Sequence, residues 1–349
     1  MYRRDFIKTS GLALGATTVP LFYINKGIAK SKSEVIVGHG DFKYKVHKNW
    51  GIQDPSKFPV KDCHEMVMDS KGRLILLTNE PKNNVLIYDK SGKVLDSWTL
   101  DLKGAHGLTI NDEGGQEFLY IADTRGKVVK ADLKGKLVME LAHPAKVGTY
   151  TECNKYNPTE TAIAPNGDIY IADGYGSQWI LHFDSKGNFI KKFGGGGSAE
   201  GKFLQAHGVT LDTRDKNSPT LLCTARKKNA FKRYSLEGEF LETIYLPGAF
   251  LSRAVIDGDN IYSGVCFSSN VKYNLPFNSG FVTILDKENK VVSNPGGTKP
   301  TYKKGKLQTM IQEDNTFVHC HDVCVDEDKN LYVCQWNANK TYPVKLERV

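Results

Sequence analysis

Four of the nine histidines in this 349-residue chain open short apolar strands at equivalent points: His64-Glu-Met-Val-Met, His106-Gly-Leu-Thr-Ile, His207-Gly-Val-Thr-Leu and His321-Asp-Val-Cys-Val. Neutral imidazole is a good ligand for zinc and its first-row neighbours, and three imidazoles with water form an open catalytic site. A lone histidine at a strand start caps or packs. Four in one register, if the strands surround an axis, converge on that axis and point to a shared metal or catalytic centre.

The elements that must carry these residues form a repeat. Its clearest copy runs Thr161-Ala-Ile-Ala-Pro-Asn-Gly-Asp-Ile-Tyr-Ile-Ala-Asp and continues through Trp179-Ile-Leu-His-Phe-Asp-Ser-Lys-Gly-Asn-Phe-Ile. Pro165-Asn-Gly and Ser185-Lys-Gly-Asn read as hairpin turns between runs of period two. Copies begin at His64, His106, Thr159, His207, Ser252 and His321. A period of about 40 residues with four short strands defines a β-propeller rather than a helical solenoid. Six starts give an all-β, six-bladed propeller. Its last copy stops after about three strands, so the segment 42–50 is expected to supply the outer strand and close the ring, removing two sheet edges. Spans 141–159, 274–279 and 294–317 exceed hairpin length and are rim or lid candidates; the last carries Lys299, Lys303, Lys304 and Lys306.

The formal charge is +8. Residues 1–29 hold Arg3, Arg4, Lys8 and Lys26 against Asp5, so three of those charges belong to the N-terminus and +5 remains. The remaining lysines are interspersed with acids and form no basic face, which argues against nucleic acid as a partner. Met1-Tyr-Arg-Arg-Asp-Phe-Ile-Lys followed by the apolar run 11–22 and Gly27-Ile-Ala reads as a twin-arginine signal over 1–29, with one propeller domain over 33–349. The run is short for a bilayer span. The expectation is a periplasmic or secreted, monomeric protein without stable membrane insertion once the signal is cleaved. Seven cysteines with no Cys-x-x-Cys spacing do not suggest a complete disulfide framework. Cys320 precedes His321 and should face away from it. Asp123 and Asp173 read as turn-stabilising aspartates, and 194–197, lacking a following Gly-Lys-Ser/Thr, as a connection rather than a phosphate loop.

Over most of residues 50–349 the chain resembles NHL-type propellers, in particular the peptidyl-α-hydroxyglycine α-amidating lyases. The resemblance is carried by Asn157-Pro-Thr-Glu through Asp173-Gly-Tyr-Gly, by Phe203-Leu-Gln-Ala-His-Gly, by Ala225-Arg226 and by His321-Asp322. It implies zinc ligands at His106, His207 and His321, a catalytic tyrosine at Tyr175 and an active-site arginine at Arg226. In that family a base removes a hydroxyl proton and a carbon–nitrogen bond then breaks. Departures are equally clear. Asn79 falls near the family's first-blade arginine, His319 replaces a methionine, His64 has no counterpart, and Gly176 removes half of a disulfide.

The expected cofactor is a divalent transition metal, zinc first, with allowance for a structural calcium ion. Tyr175 would act as proton acceptor if Arg226 lowered its pKa. His64 and His319 are open as fourth ligand, proton shuttle or neither. Asp322 and Glu160 are placed to orient ligand histidines. The function expected is an exported metal-dependent lyase acting on a small hydroxylated polar substrate. The alternatives are a metal-dependent hydrolase of lactonase or esterase type, or a non-catalytic binding propeller.

Overall fold

The computed structural model describes residues 34–271 and 276–349. The export segment expected over 1–29 lies outside the described residues. The described strands form six sheets around a common channel, plus a small ribbon of Tyr302–Lys303 and Lys306–Leu307 within the 294–317 span. The inner strands of blades one to four are Cys63–Met68, Ala105–Asp112, Glu160–Ile163 and Ala206–Asp212. In blade five Ala249–Leu251 and Val255–Asp257 both pair with Asn260–Ser268, so the inner strand is broken at residues 252–254. Blade six runs Cys320–Val325, Leu331–Gln335 and Val344–Arg348, then continues into Phe42–His47 and Ile36–His39. Phe42–His47 lies antiparallel to Val344–Arg348, with Val46 opposite Leu346.

Period two explains the core. The middle strands are buried on both faces, so they read as near-continuous apolar runs, Leu74–Thr78 and Val85–Tyr88 in blade one. Alternate residues serve alternate seams. Leu74, Leu76, Leu86 and Tyr88 pack against Tyr332 and Cys334 of blade six. Ile75, Leu77, Val85 and Ile87 pack against Leu108, Leu119 and Ile121 of blade two. The same division fills the other four seams. At about 25 cal/mol per Å² of buried apolar area, these seams are the main stabilising term of the ring.

The turns are written as aspartates. Asp69 Oδ1 accepts the N–H groups of Lys71 and Arg73 at 3.0 and 2.8 Å. Asp132, Asp184 and Asp286 do the same for the residues two and four further on. Each such turn closes on a left-handed residue, glycine in most blades and Asn289 in the fifth. Among the described residues the only helical element is a single 3-10 turn, Arg226–Lys228, and none is a helix long and apolar enough to cross a membrane.

Candidate metal centre

His64, His106, His207 and His321 are each the second residue of an inner strand, and each falls where that strand carries one residue more than its partner. The register shifts between Cys63 and Glu65, Ala105 and Gly107, Ala206 and Val209, and Cys320 and Asp322. A β-bulge re-aims side chains. In a regular inner strand, neighbouring residues serve opposite seams; at these bulges the histidine and its successor both turn to the channel. Two layers result, histidines above and residues 65, 107, 160, 208, 253 and 322 beneath.

In the upper layer the rings of His64, His106 and His321 lie with centroids 4.6 to 4.7 Å apart. One ligand atom from each lies within 4.8 Å of the other two. His207 stands across from them, its ring 4.9 Å from His106 and 5.1 Å from His321. All four are buried. His106 Nδ1–H donates to the Thr159 carbonyl at 2.8 Å and His321 Nδ1–H to the His64 carbonyl at 3.0 Å. Because a carbonyl only accepts, both rings are fixed as tautomers whose Nε2 lone pairs are free. His321 Nε2, His64 Nδ1 and His207 Nδ1 are buried with no hydrogen-bond partner. Orphaned nitrogens of this kind are costly unless something ligates them. Burial lowers the pKa of every ring, that of His64 to about 3, with Arg226 adding to the effect. The rings are therefore neutral near pH 7, the state that ligation requires. The donor set fits a divalent transition metal.

Tyr175 is carried by the loop after the second strand of blade three. Asp173 builds that loop: Oδ1 accepts Asn157 N–H at 2.7 Å, and Oδ2 accepts the Tyr150 hydroxyl at 2.7 Å and Ser177 N–H at 2.6 Å. Gly176 is required here, since a Cβ would lie 2.1 Å from Asp173 Oδ1 and 2.4 Å from the Lys155 carbonyl. The Tyr175 hydroxyl reaches His207 Nε2 at 3.0 Å, His106 Nε2 at 3.2 Å and Arg226 Nη1 at 3.4 Å. It has one proton, so only one imidazole accepts it. The side chain is 41% exposed towards the pocket, yet desolvation around its hydroxyl pushes the phenol pKa up against the lowering effect of Arg226. Arg226 is buried in the 3-10 turn, its Nε donating to the Leu251 carbonyl at 2.8 Å and Nη2 to Ser252 Oγ at 3.0 Å.

His319 is placed elsewhere. Its Nδ1–H donates to the Trp336 carbonyl at 3.1 Å, its Nε2 accepts Asn278 N–H at 3.0 Å, and its ring packs among Phe267, Phe277 and Trp336. Both nitrogens are used, so the structure gives His319 a wall position rather than a role among the clustered rings. Asp322 and Glu160 bond no histidine. Together with Glu65 they surround Arg253 in the layer beneath. Sequence reading singled out neither Glu65 nor Arg253. The signal was available, because each directly follows a register position.

Above the histidines a 350 Å³ pocket is lined by His64, Asn79, Lys103, His106, Arg125, Tyr175 and Trp336. A second, of 190 Å³, adjoins Tyr175, Arg226, Cys266 and His321. A larger hollow of 660 Å³ lies at the far ends of the inner strands, but no histidine or cysteine lines it. The clustered histidines, Tyr175 and Arg226 open on the smaller pair.

Fold and site define an all-β, six-bladed propeller with a histidine-lined mouth. Residues 149–291 match a family described as a 6-bladed beta-propeller, DUF5128. A probable peptidyl-alpha-hydroxyglycine alpha-amidating lyase of Caenorhabditis elegans is 31% identical over 150 residues, 42% of this chain and 41% of that protein. NHL repeat-containing protein 3 of Mus musculus is 24% identical over 190 residues, 48% of this chain and 55% of that protein. Peptidyl-glycine alpha-amidating monooxygenase B of Xenopus laevis is 25% identical over 76% of this chain and 29% of that protein. The chain thus spans about half or less of the length of these relatives. Among solved structures, a streptogramin B lyase superposes with a TM-score of 0.51 at 16% identity, covering 83% of this chain and 94% of the other, a likeness of fold. The chain is a six-bladed β-propeller with NHL repeat proteins and amidating lyases among its relatives.

Proposed function

We propose that the protein is an exported, metal-dependent lyase acting on a small polar substrate that carries a hydroxyl on the carbon whose bond is broken. The observation that carries this reading is the convergence of His64, His106 and His321 from three blades, with unpartnered nitrogens on His64 and His321, beside Tyr175 and Arg226. A divalent transition ion held by these imidazoles, zinc in the first place, would polarise the substrate hydroxyl. His207, with its Nδ1 unpartnered, takes the hydroxyl proton. The oxygen lone pair closes to a carbonyl, the carbon–heteroatom bond breaks, and the departing group leaves with that electron pair. Tyr175 supplies its proton, and Arg226 stabilises the phenolate that remains until the proton returns from His207. Lys103 and Arg125 at the pocket wall favour a substrate with a negative group. A hydrolase built on carboxylate-bound calcium is less well supported, since the channel carboxylates are engaged by Arg253.

The test is elemental analysis of the full chain expressed with its own N-terminus and recovered after export. About one transition-metal ion per chain is expected, lost in His106→Ala and in His321→Ala. Full retention in both variants would remove the centre. Retention in Tyr175→Phe with loss of turnover, in a screen of hydroxylated metabolites, would support the assigned roles.

A further inference from the structure

The layer under the histidines is a cage of oxygens from four blades. Asp322 of blade six, Glu65 of blade one and Glu160 of blade three bring carboxylates, and the Met66 and Leu108 carbonyls complete the set. A cage of this composition, hard oxygens at a ring centre, suits calcium. It is filled instead by a side chain. Arg253 Nε and Nη2 each donate to an Asp322 oxygen at 2.9 Å, and Nη1 donates to the Leu108 carbonyl at 2.6 Å. Nη1 also stands 3.2 Å from Glu65 Oε2 and 3.9 Å from Glu160 Oε2, and Nη2 donates to the Met66 carbonyl at 3.3 Å.

The surroundings are built for this arrangement. Arg253 enters from the break in the inner strand of blade five, and the three carbonyls freed there are taken by hydroxyls. Thr224 donates to the Ser252 carbonyl at 2.6 Å, Ser263 to that of Arg253 at 2.8 Å and Thr210 to that of Ala254 at 2.7 Å. The two blades without a floor side chain have glycine at that position. A Cβ on Gly208 would lie 2.8 Å from Arg253 Cα, and one on Gly107 would lie 2.5 Å from the Thr159 carbonyl.

We propose that Arg253 is the ring's own axial cation, standing where a hard divalent ion would otherwise sit, and that it positions the histidine layer through the residues adjoining it. Glu65 and Asp322 are the chain neighbours of His64 and His321, and Glu160 follows the Thr159 carbonyl that orients His106. A structural calcium ion, allowed for by the sequence, finds its place taken by Arg253, and of the floor carboxyl oxygens Glu65 Oε1 alone is buried without a partner. Arg253 is a positioning residue, and replacing it by a small side chain should convert the floor into a calcium site reachable from the 660 Å³ hollow, whose wall includes Arg253.

The experiment compares the full-length wild type, Arg253→Ala and Arg253→Lys by thermal unfolding in calcium chloride or in calcium-free buffer, both without chelator and at one fixed zinc concentration, and by calcium titration calorimetry. Wild type should bind no calcium at the floor and unfold at the same temperature in both media. Arg253→Ala should unfold earlier in calcium-free buffer, bind about one calcium per chain and recover most of its melting temperature. Its zinc affinity, at least tenfold weaker without calcium, should recover with calcium, a rescue that general loss of packing would not give. If Arg253→Ala does not fold without calcium, Arg253→Lys decides, since one ammonium cannot span the cage. It should melt below wild type in calcium-free buffer, and wild-type behaviour would overturn the proposal. Tight calcium binding by wild type, or a folded Arg253→Ala indifferent to calcium, would also overturn it. The inference does not depend on the proposed lyase function. Wild type lacking zinc would defeat that function and leave the calcium measurements decisive.

Discussion

The two layers of the channel are one residue apart in sequence and opposite in chemistry. In the upper layer, His64 Nδ1, His207 Nδ1 and His321 Nε2 are buried without a partner. In the lower one, a guanidinium holds three carboxyl groups and two carbonyls. Buried polar groups are normally satisfied. A layer that leaves nitrogens open above one that leaves almost nothing open separates binding capacity from structural support. The contrast teaches that channel position alone does not mark function; unspent hydrogen-bonding capacity does.

The contrast is broken most directly from below. Asp322→Ala leaves Arg253 as a buried charge with its main partner gone, and the chain should lose about 3–5 kcal/mol of stability in urea unfolding. A loss under about 1 kcal/mol would place the floor among ordinary packing residues. From above, Tyr175→Phe should lower kcat/KM by about 10²- to 10⁴-fold while metal content and melting temperature stay near wild type. Within the upper layer the ligand set is sharpened by comparing His64→Ala with His207→Ala. The geometry predicts that His64→Ala weakens metal affinity by more than about 100-fold and His207→Ala by about tenfold, read by competition with a chromophoric chelator. The reverse order would restore the set His106, His207 and His321 that family resemblance implied.

A smaller effect comes from the far end of the strand that carries His207. Burial alone would raise the Asp212 carboxyl, but bonds from Arg214 and Arg233 hold it at about 2, below its ordinary 3.8. Its folded pKa is depressed, so its contribution is complete above pH 4 and is lost as the pH falls from there towards 2. The loss is about 2 kcal/mol for the interval between those values. Asp212→Asn should flatten that part of the stability profile and leave metal binding unchanged, a control that touches neither layer.

Much of this was legible in the residues. Period-two runs with Asp- and Gly-marked turns gave six units, and the recurrence of histidine at one register gave the upper layer. Tyr175 and Arg226 came from family resemblance, and the structure puts both against the cluster. Three things escaped. The bulges that turn consecutive residues to the channel are marked only by the register positions themselves, so Glu65 and Arg253 go unremarked in the sequence although each directly follows one. The direction of the Tyr175 pKa depends on burial outweighing a neighbouring cation, a balance that sequence does not encode. The sequence leaves His319 open as fourth ligand, proton shuttle or neither. Two backbone bonds and three aromatic rings give it different work.

One feature of blade six reaches beyond the finished molecule. Its sheet is assembled from both ends of the described chain, with Val349 N–H donating to the Lys43 carbonyl at 3.1 Å. The ring therefore cannot latch while the ribosome still holds residues 344–349, and the blade that latches is the one that carries His321 to His64 and His106. Contacts separated by some 300 residues of sequence form slowly. If the histidines hold a metal as proposed, its capture should report the last step of folding, and trimming the final strand should cost metal as well as stability.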